Sequence, residues 1–176
     1  YAEKKFIRAA HGGTGEAKAA GNYAAAILPT EEAKAKGYNQ VLWLDAAEHK
    51  YIEEVGTMNI FFKINGKIIT PIRDGSILDG ITRMSVIDLL RDKGFEVVER
   101  AITIDEIKEA SENKTLEEAF GTGTAVGIAY IQDIGTEDGV IHVSDESPVA
   151  EAVNNTLNGI KIGEIEDTFG WMEAVE

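Results

Sequence analysis

Apolar positions along the chain come in short runs broken by polar turns, and their spacing alternates between the two periods of regular structure. Ala24 to Lys36 is rich in alanine and carries Glu32 four residues before Lys36, which predicts a helix that Pro29 kinks or restarts and Gly37 closes. Val41 to Leu44 and the weaker Tyr51 to Val55 read as strands. Asn59 to Ile64 is a third, followed at once by Asn65 and Gly66 and then by Ile68 and Ile69. Asn and Gly tolerate the positive φ of a type I′ turn, so this dipeptide between apolar runs predicts a hairpin. Met84, Ile87 and Leu90 recur at helical spacing and give a helix over Thr82 to Lys93, ended by Gly94. Phe95 to Glu99 returns as a strand. Thr103 and Glu106 form a capping box for a helix to about Ser111, and a shorter helix is expected to end at Phe120. Val126 to Ile131 and Val140 to Val143 follow as strands, and Val149 to Leu157 as a last helix. Interleaved helices and strands around an antiparallel hairpin predict a mixed α/β (α+β) domain, layered or barrel-like, rather than a doubly wound parallel sheet.

Composition narrows the function. The 176 residues suit one domain, 1–176, with a core large enough to need no covalent staple. There is no cysteine, which removes thiolate metal sites and cysteine nucleophiles together. Seventeen basic against 31 acidic side chains leave a net charge of −14, with no basic patch for nucleic acid or anionic lipid. No run is long and apolar enough to span a bilayer, so neither a nucleic-acid nor a membrane partner is expected, and a soluble cytoplasmic protein is.

Familiar catalytic motifs are absent: HExxH, GxSxG and GxxxxGK[ST] do not occur. His11, His49 and His142 have no acidic or hydroxyl partner at motif spacing and read as surface or packing residues. Gly121 to Gly127 come close to a dinucleotide fingerprint, but with a helix expected before them and a strand after, the order is the reverse of a Rossmann loop. The turn can still offer N–H groups and the hydroxyls of Thr122 and Thr124 to one phosphate; alone it is a glycine turn entering a strand. Leu78, Asp79, Gly80, Ile81 and Thr82 open a helix and form a second candidate anion site, or an ordinary helix start. Lys18, flanked by Gly12 to Ala17 and Ala19 to Tyr23, has small neighbours that leave room for a bulky group on its amine. Read without further context it is a solvated loop lysine, whereas a buried one would have the depressed pKa that imine chemistry uses.

The runs GGTGEAKAAGNYAAA, QVLWLDAAEHKYIEEVGTMNIFF, LDGITRMSVIDL and EAFGTGTA, with LNGIKIGEIEDTFGW at the end, stand in an order and spacing that resembles the large domain of the branched-chain amino acid aminotransferases, pyridoxal-phosphate enzymes of fold type IV. The resemblance covers Phe6 to Trp171. It implies a pseudo-barrel-like β domain with surrounding helices, pyridoxal 5'-phosphate as cofactor, an amino acid and a 2-oxo acid as substrates, and a homodimer. Carried over by position, it makes Lys18 the catalytic lysine that carries the cofactor as a Schiff base and moves the proton. Tyr23 would meet the cofactor's phenolic oxygen and Glu54 its pyridine nitrogen. Glu53 would point to the opposite face of the strand. Leu78 would pack on the ring, and Gly80, Ile81, Thr82 and Thr124 would bind the phosphate. Thr57 and the backbone of Ala125 would border the substrate carboxylate. Arg8 would support the Tyr23 side, or else form a surface ion pair.

Two departures from the family stand out. Asp79 occupies a position where the family commonly has proline, and its charge is unfavourable beside a phosphate unless it turns away or caps the helix. The family's smaller N-terminal domain has no counterpart here, so a fragment with little or no activity alone is expected. Within fold type IV, D-amino acid aminotransferase and aminodeoxychorismate lyase are the alternatives. A non-catalytic binding module that keeps the fold is the alternative of another class.

Overall fold

The computed structural model describes residues 1–173 and 175. In chain order the elements are β1 (Ala2–Glu3), α1 (Ala20–Ala35), β2 (Leu42–Leu44), β3 (Ile52–Val55), β4 (Met58–Ile64), β5 (Lys67–Thr70), α2 (Ile81–Asp92), β6 (Val97–Glu99), α3 (Ile104–Glu112), β7 (Leu116–Gly123), β8 (Gly127–Tyr130), β9 (Asp133–Thr136), β10 (Gly139–His142) and α4 (Pro148–Lys161). The architecture is mixed α/β, as the alternation of periods implies.

Strand β4 organises the sheet. Asn59 pairs with Glu54 of β3 on one edge and Thr122 of β7 on the other, while Phe62 pairs with Ile69 of β5 and Ala119 of β7. Strands β3 and β5 therefore succeed one another along one edge of β4, and β7 runs antiparallel along the other. The β4–β5 connection is the anticipated hairpin, with Asn65 at φ 50° and Gly66 at φ 75°, the positive angles a type I′ turn demands. Strands β1 and β6 join in parallel to β2 and β5, and β9–β10 form a separate hairpin.

The run Ile60–Ile64 carries bulky apolar side chains on both faces because both are covered. Ile60, Phe62 and Ile64 pack into one core with Leu42, Ile107 of α3, Ile134 and Ile141. Phe61 points the other way, into a second core formed with α2 and α4, where it stacks on Phe120 at 5.1 Å between centroids. A third cluster sets Ala33 of α1 on Val41 and Trp43. Among the described residues no helix is long and apolar enough to cross a membrane.

The short helix expected to end at Phe120 does not form: residues 116–123 are β7. Its residues Leu116, Glu117, Glu118 and Ala119 are good helix formers, but six register pairs with β4 and the Phe61–Phe120 stack outweigh local preference. Lys63 fixes the register by meeting Glu117 at 2.7 Å and Glu118 at 3.8 Å. Glu118, buried, also accepts the N–H groups of Val149 and Ala150 and so caps α4 across 31 residues of chain. The glycine segment is accordingly the end of a strand and a tight hairpin: Gly123 pairs with Gly127, leaving Thr124, Ala125 and Val126 as the loop.

Other differences are small. Helix α1 begins at Ala20 and continues through Pro29. Thr103 accepts the Glu106 N–H at 3.0 Å, but the Glu106 carboxylate pairs with Arg100 instead of completing the capping box. The histidines' acidic partners come from other elements: His142 Nδ1 lies 2.6 Å from Asp133, and His11 Nε2 3.4 Å from Asp74. The alternation within β9–β10 and the distance along the chain from residue 11 to 74 hid both pairs.

Candidate active site

A cleft of about 1030 Å³ opens between the Lys18 loop, the β3–β4 turn, the start of α2 and the β7–β8 turn. It is lined by Lys18, Tyr23, Glu54, Thr57, Leu78, Gly80, Ile81, Thr82, Thr124 and Ala125, residues that lie more than a hundred positions apart at the extremes. Arg8 lies behind this wall, beside a narrow crevice that it shares with Tyr23 and Glu54.

The Lys18 loop is pinned by side chains that small residues allow to approach. Asn22, buried in the first turn of α1, donates to the carbonyls of Thr14 (2.8 Å) and Ala17 (3.0 Å), and Thr14 Oγ1 donates back to Asn22 Oδ1 at 2.6 Å. Lys18 itself is exposed on the cleft wall, contrary to the buried lysine that imine chemistry suggests. Tyr23 is also partly open, at 45%.

Glu54 is the best-held group in the cleft. Oε1 accepts the Leu78 N–H at 2.8 Å and the Asn59 amide at 3.2 Å, and Oε2 lies 2.9 Å from Arg8 Nε. Arg8 is almost entirely buried, which excludes the surface ion pair. Its Nη2 donates to the carbonyls of Gly15 (3.0 Å) and Ser76 (2.6 Å). One guanidinium thus ties the Lys18 loop, β3 and the loop before α2 together. Burial pushes the Glu54 carboxyl up to about 7, with Arg8 and the Leu78 N–H pulling against it. Glu53 faces the far side of β3 and does not line this cleft.

The start of α2 has no side-chain cap and no acidic residue in its first turn, so its leading N–H groups are free to meet an anion. Gly80 is required there: a Cβ would stand 2.2 Å from Asn59 Oδ1. Asp79 neither caps α2 nor stands alone, since its carboxylate pairs with Arg73 at the exposed rim.

Two further residues belong to the site. Thr122 is buried in the cleft wall with an unpartnered hydroxyl. Asn59 bridges Glu54 to the Leu78 carbonyl, donating to the latter at 2.9 Å. A polar residue inside the apolar run of β4 is the signal that marks Asn59 in the sequence; Thr122 is marked by the hydroxyl it places among the glycines.

Known proteins resemble the chain over nearly its whole length. It is 50% identical over 175 residues to branched-chain-amino-acid aminotransferase 2 of Bacillus subtilis, covering 98% of this chain and 48% of the relative. It is 41% identical over 174 residues to the branched-chain-amino-acid aminotransferase of Mycolicibacterium smegmatis, covering 96% and 47%. The chain spans about half the length of the curated relatives it matches. In structure it is similar to the branched-chain amino acid aminotransferase of Escherichia coli, with a TM-score of 0.80, 32% identity, and coverage of 97% and 55%. It is also similar to the T.th. branched-chain amino acid aminotransferase complexed with N-(5'-phosphopyridoxyl)-L-glutamate, with a TM-score of 0.79, 29% identity, and coverage of 95% and 53%. The pattern of the class IV amino-transferases matches residues 5–134, and the chain belongs to that family.

Proposed function

We propose that this chain is the cofactor-binding large domain of a branched-chain amino acid aminotransferase, exchanging an amino group between leucine, isoleucine or valine and 2-oxoglutarate with pyridoxal 5'-phosphate. The observation that carries the reading is that Lys18, Glu54 and two polar cradles, from four separate segments, line one cleft. The cleft fits the group: the uncapped first turn of α2 with Thr82, the Thr124 turn and the unpartnered Thr122 hydroxyl supply phosphate donors, and Leu78 supplies an apolar surface for the ring. When bound, the cofactor supplies an electron sink for the charge left on the substrate Cα.

The chain's own residues do the rest. Lys18 Nζ would hold the cofactor and would move the proton at the substrate Cα. Its exposure on the cleft wall gives it the freedom to swing between the two tasks. Glu54, whose charged form Arg8 favours against the effect of burial, would face the ring nitrogen and hold a proton there. Tyr23 would help hold the cofactor from the same wall of the cleft. Thr57 and the Ala125 N–H orient the substrate carboxylate.

The same reading includes a cytoplasmic homodimer, supported by the family resemblance and by Ile27 and Leu28, which stand 66% and 56% exposed on α1. The test is to titrate the chain with pyridoxal phosphate and record the visible spectrum. A saturable absorption change that is lost in Lys18→Ala, with the unfolding free energy within about 0.5 kcal/mol of the parent, supports the reading; no change at all favours a non-catalytic module. In a leucine and 2-oxoglutarate assay this chain alone is expected to turn over poorly, because its relatives are about twice its length.

A further inference from the structure

The face of β3 opposite Glu54 borders a second cavity, of about 460 Å³, a size suited to a small organic molecule. Tyr51, Pro71, Ile72 and Ile77 give it largely apolar walls, and it shares no lining residue with the Lys18 cleft. Glu53 projects into it. This side chain is only 7% exposed, and its Oε2 has no hydrogen-bond partner. A buried carboxylate oxygen left unpaired in apolar surroundings is costly, so a cation that reached it would be held strongly.

The other charged groups at the cavity do not supply that cation. Arg8 is committed to Glu54 and to the carbonyls of Gly15 and Ser76. Asp45 is saturated by the N–H groups of Ala47, Glu48, Lys50 and Tyr51. Asp74 accepts from the Ser76 N–H and hydroxyl and faces His11. Among the described residues no lysine or arginine lines the cavity, so its three carboxylates disfavour any ligand that carries one, free amino acids included.

We propose that this cavity is a binding site for an apolar primary amine, its ammonium on the Glu53 carboxylate and its hydrocarbon body against Ile72 and Ile77. The site is independent of the cofactor reading, and its test uses the chain without pyridoxal phosphate. The probe is 2-phenylethylamine, with 2-phenylethanol and 3-phenylpropionate as neutral and anionic counterparts, each titrated while backbone amide shifts are recorded. Expected are saturable shifts at Glu53, Ile72 and Ile77, with the amine bound at least about tenfold more tightly than either counterpart. Glu53→Gln, its remaining shifts confirming the fold, weakens the amine about tenfold and leaves the alcohol unchanged. Ala101→Phe, filling the cavity from an exposed wall position, blocks both. Absence of amine binding, equal affinity for amine and alcohol, an unaltered affinity in Glu53→Gln, or shifts centred on Glu54 and Tyr23 overturns the proposal.

Discussion

Replacing Glu53 with glutamine removes a buried ionisable group while keeping its shape, and the structure fixes what the change does at each pH. Burial raises this carboxyl from the usual 4.5 to about 7, and the nearby positive charge of Arg8 only partly offsets it. The folded chain therefore holds the Glu53 proton more tightly than the unfolded chain does. Its contribution is fully present below about pH 4.5 and is lost as the pH rises through about 7. A difference of that size corresponds to about 3 kcal/mol, of which about 2–3 kcal/mol falls between about pH 5 and about pH 8.5. Urea unfolding of the parent and Glu53→Gln at those two pH values isolates the term, because every other titrating group is common to both. The variant is expected to be close to the parent in acid and more stable than it in alkali, with the divergence developing between about pH 4.5 and about pH 7 and level above that. Parallel stability curves for the two proteins would refute the reasoning, since they would mean that Glu53 ionises as freely folded as unfolded.

Arg8→Met strands Glu54 without its counter-charge, and unfolding free energy near neutral pH should fall by about 3–5 kcal/mol; adding Glu54→Gln should recover most of it in a double-mutant cycle. Gly80→Ala forces a Cβ onto Asn59, so spectroscopic titration should show pyridoxal phosphate affinity reduced about tenfold, with a stability loss of about 1–3 kcal/mol by denaturant. Thr103→Ala removes the α3 cap and should cost about 1 kcal/mol, read as a fall in Tm of about 2–4 °C.

Local chemistry was enough to read several elements directly from the chain. Asn65-Gly66, the Thr103 cap and the Met84, Ile87, Leu90 spacing each satisfy a backbone or burial requirement within a few residues, so each marks its element wherever the rest of the chain lies. Strand alternation likewise separates Glu53 from Glu54, and the two carboxyls do border different cavities. The identities of the residues lining the Lys18 cleft were legible by family resemblance, not by spacing. What only the tertiary structure decided is whatever depends on partners distant in sequence. Leu116 to Phe120 has helical preference and becomes a strand because β4 offers it a full ladder and an aromatic stack. Arg8 could equally have been a surface cation; three segments converging on its guanidinium bury it. Lys18, by contrast, stays exposed although its loop is tied down on either side of it. A short-range pattern records what a residue prefers, whereas burial, counter-charge and strand partnership are set by which other segments arrive beside it.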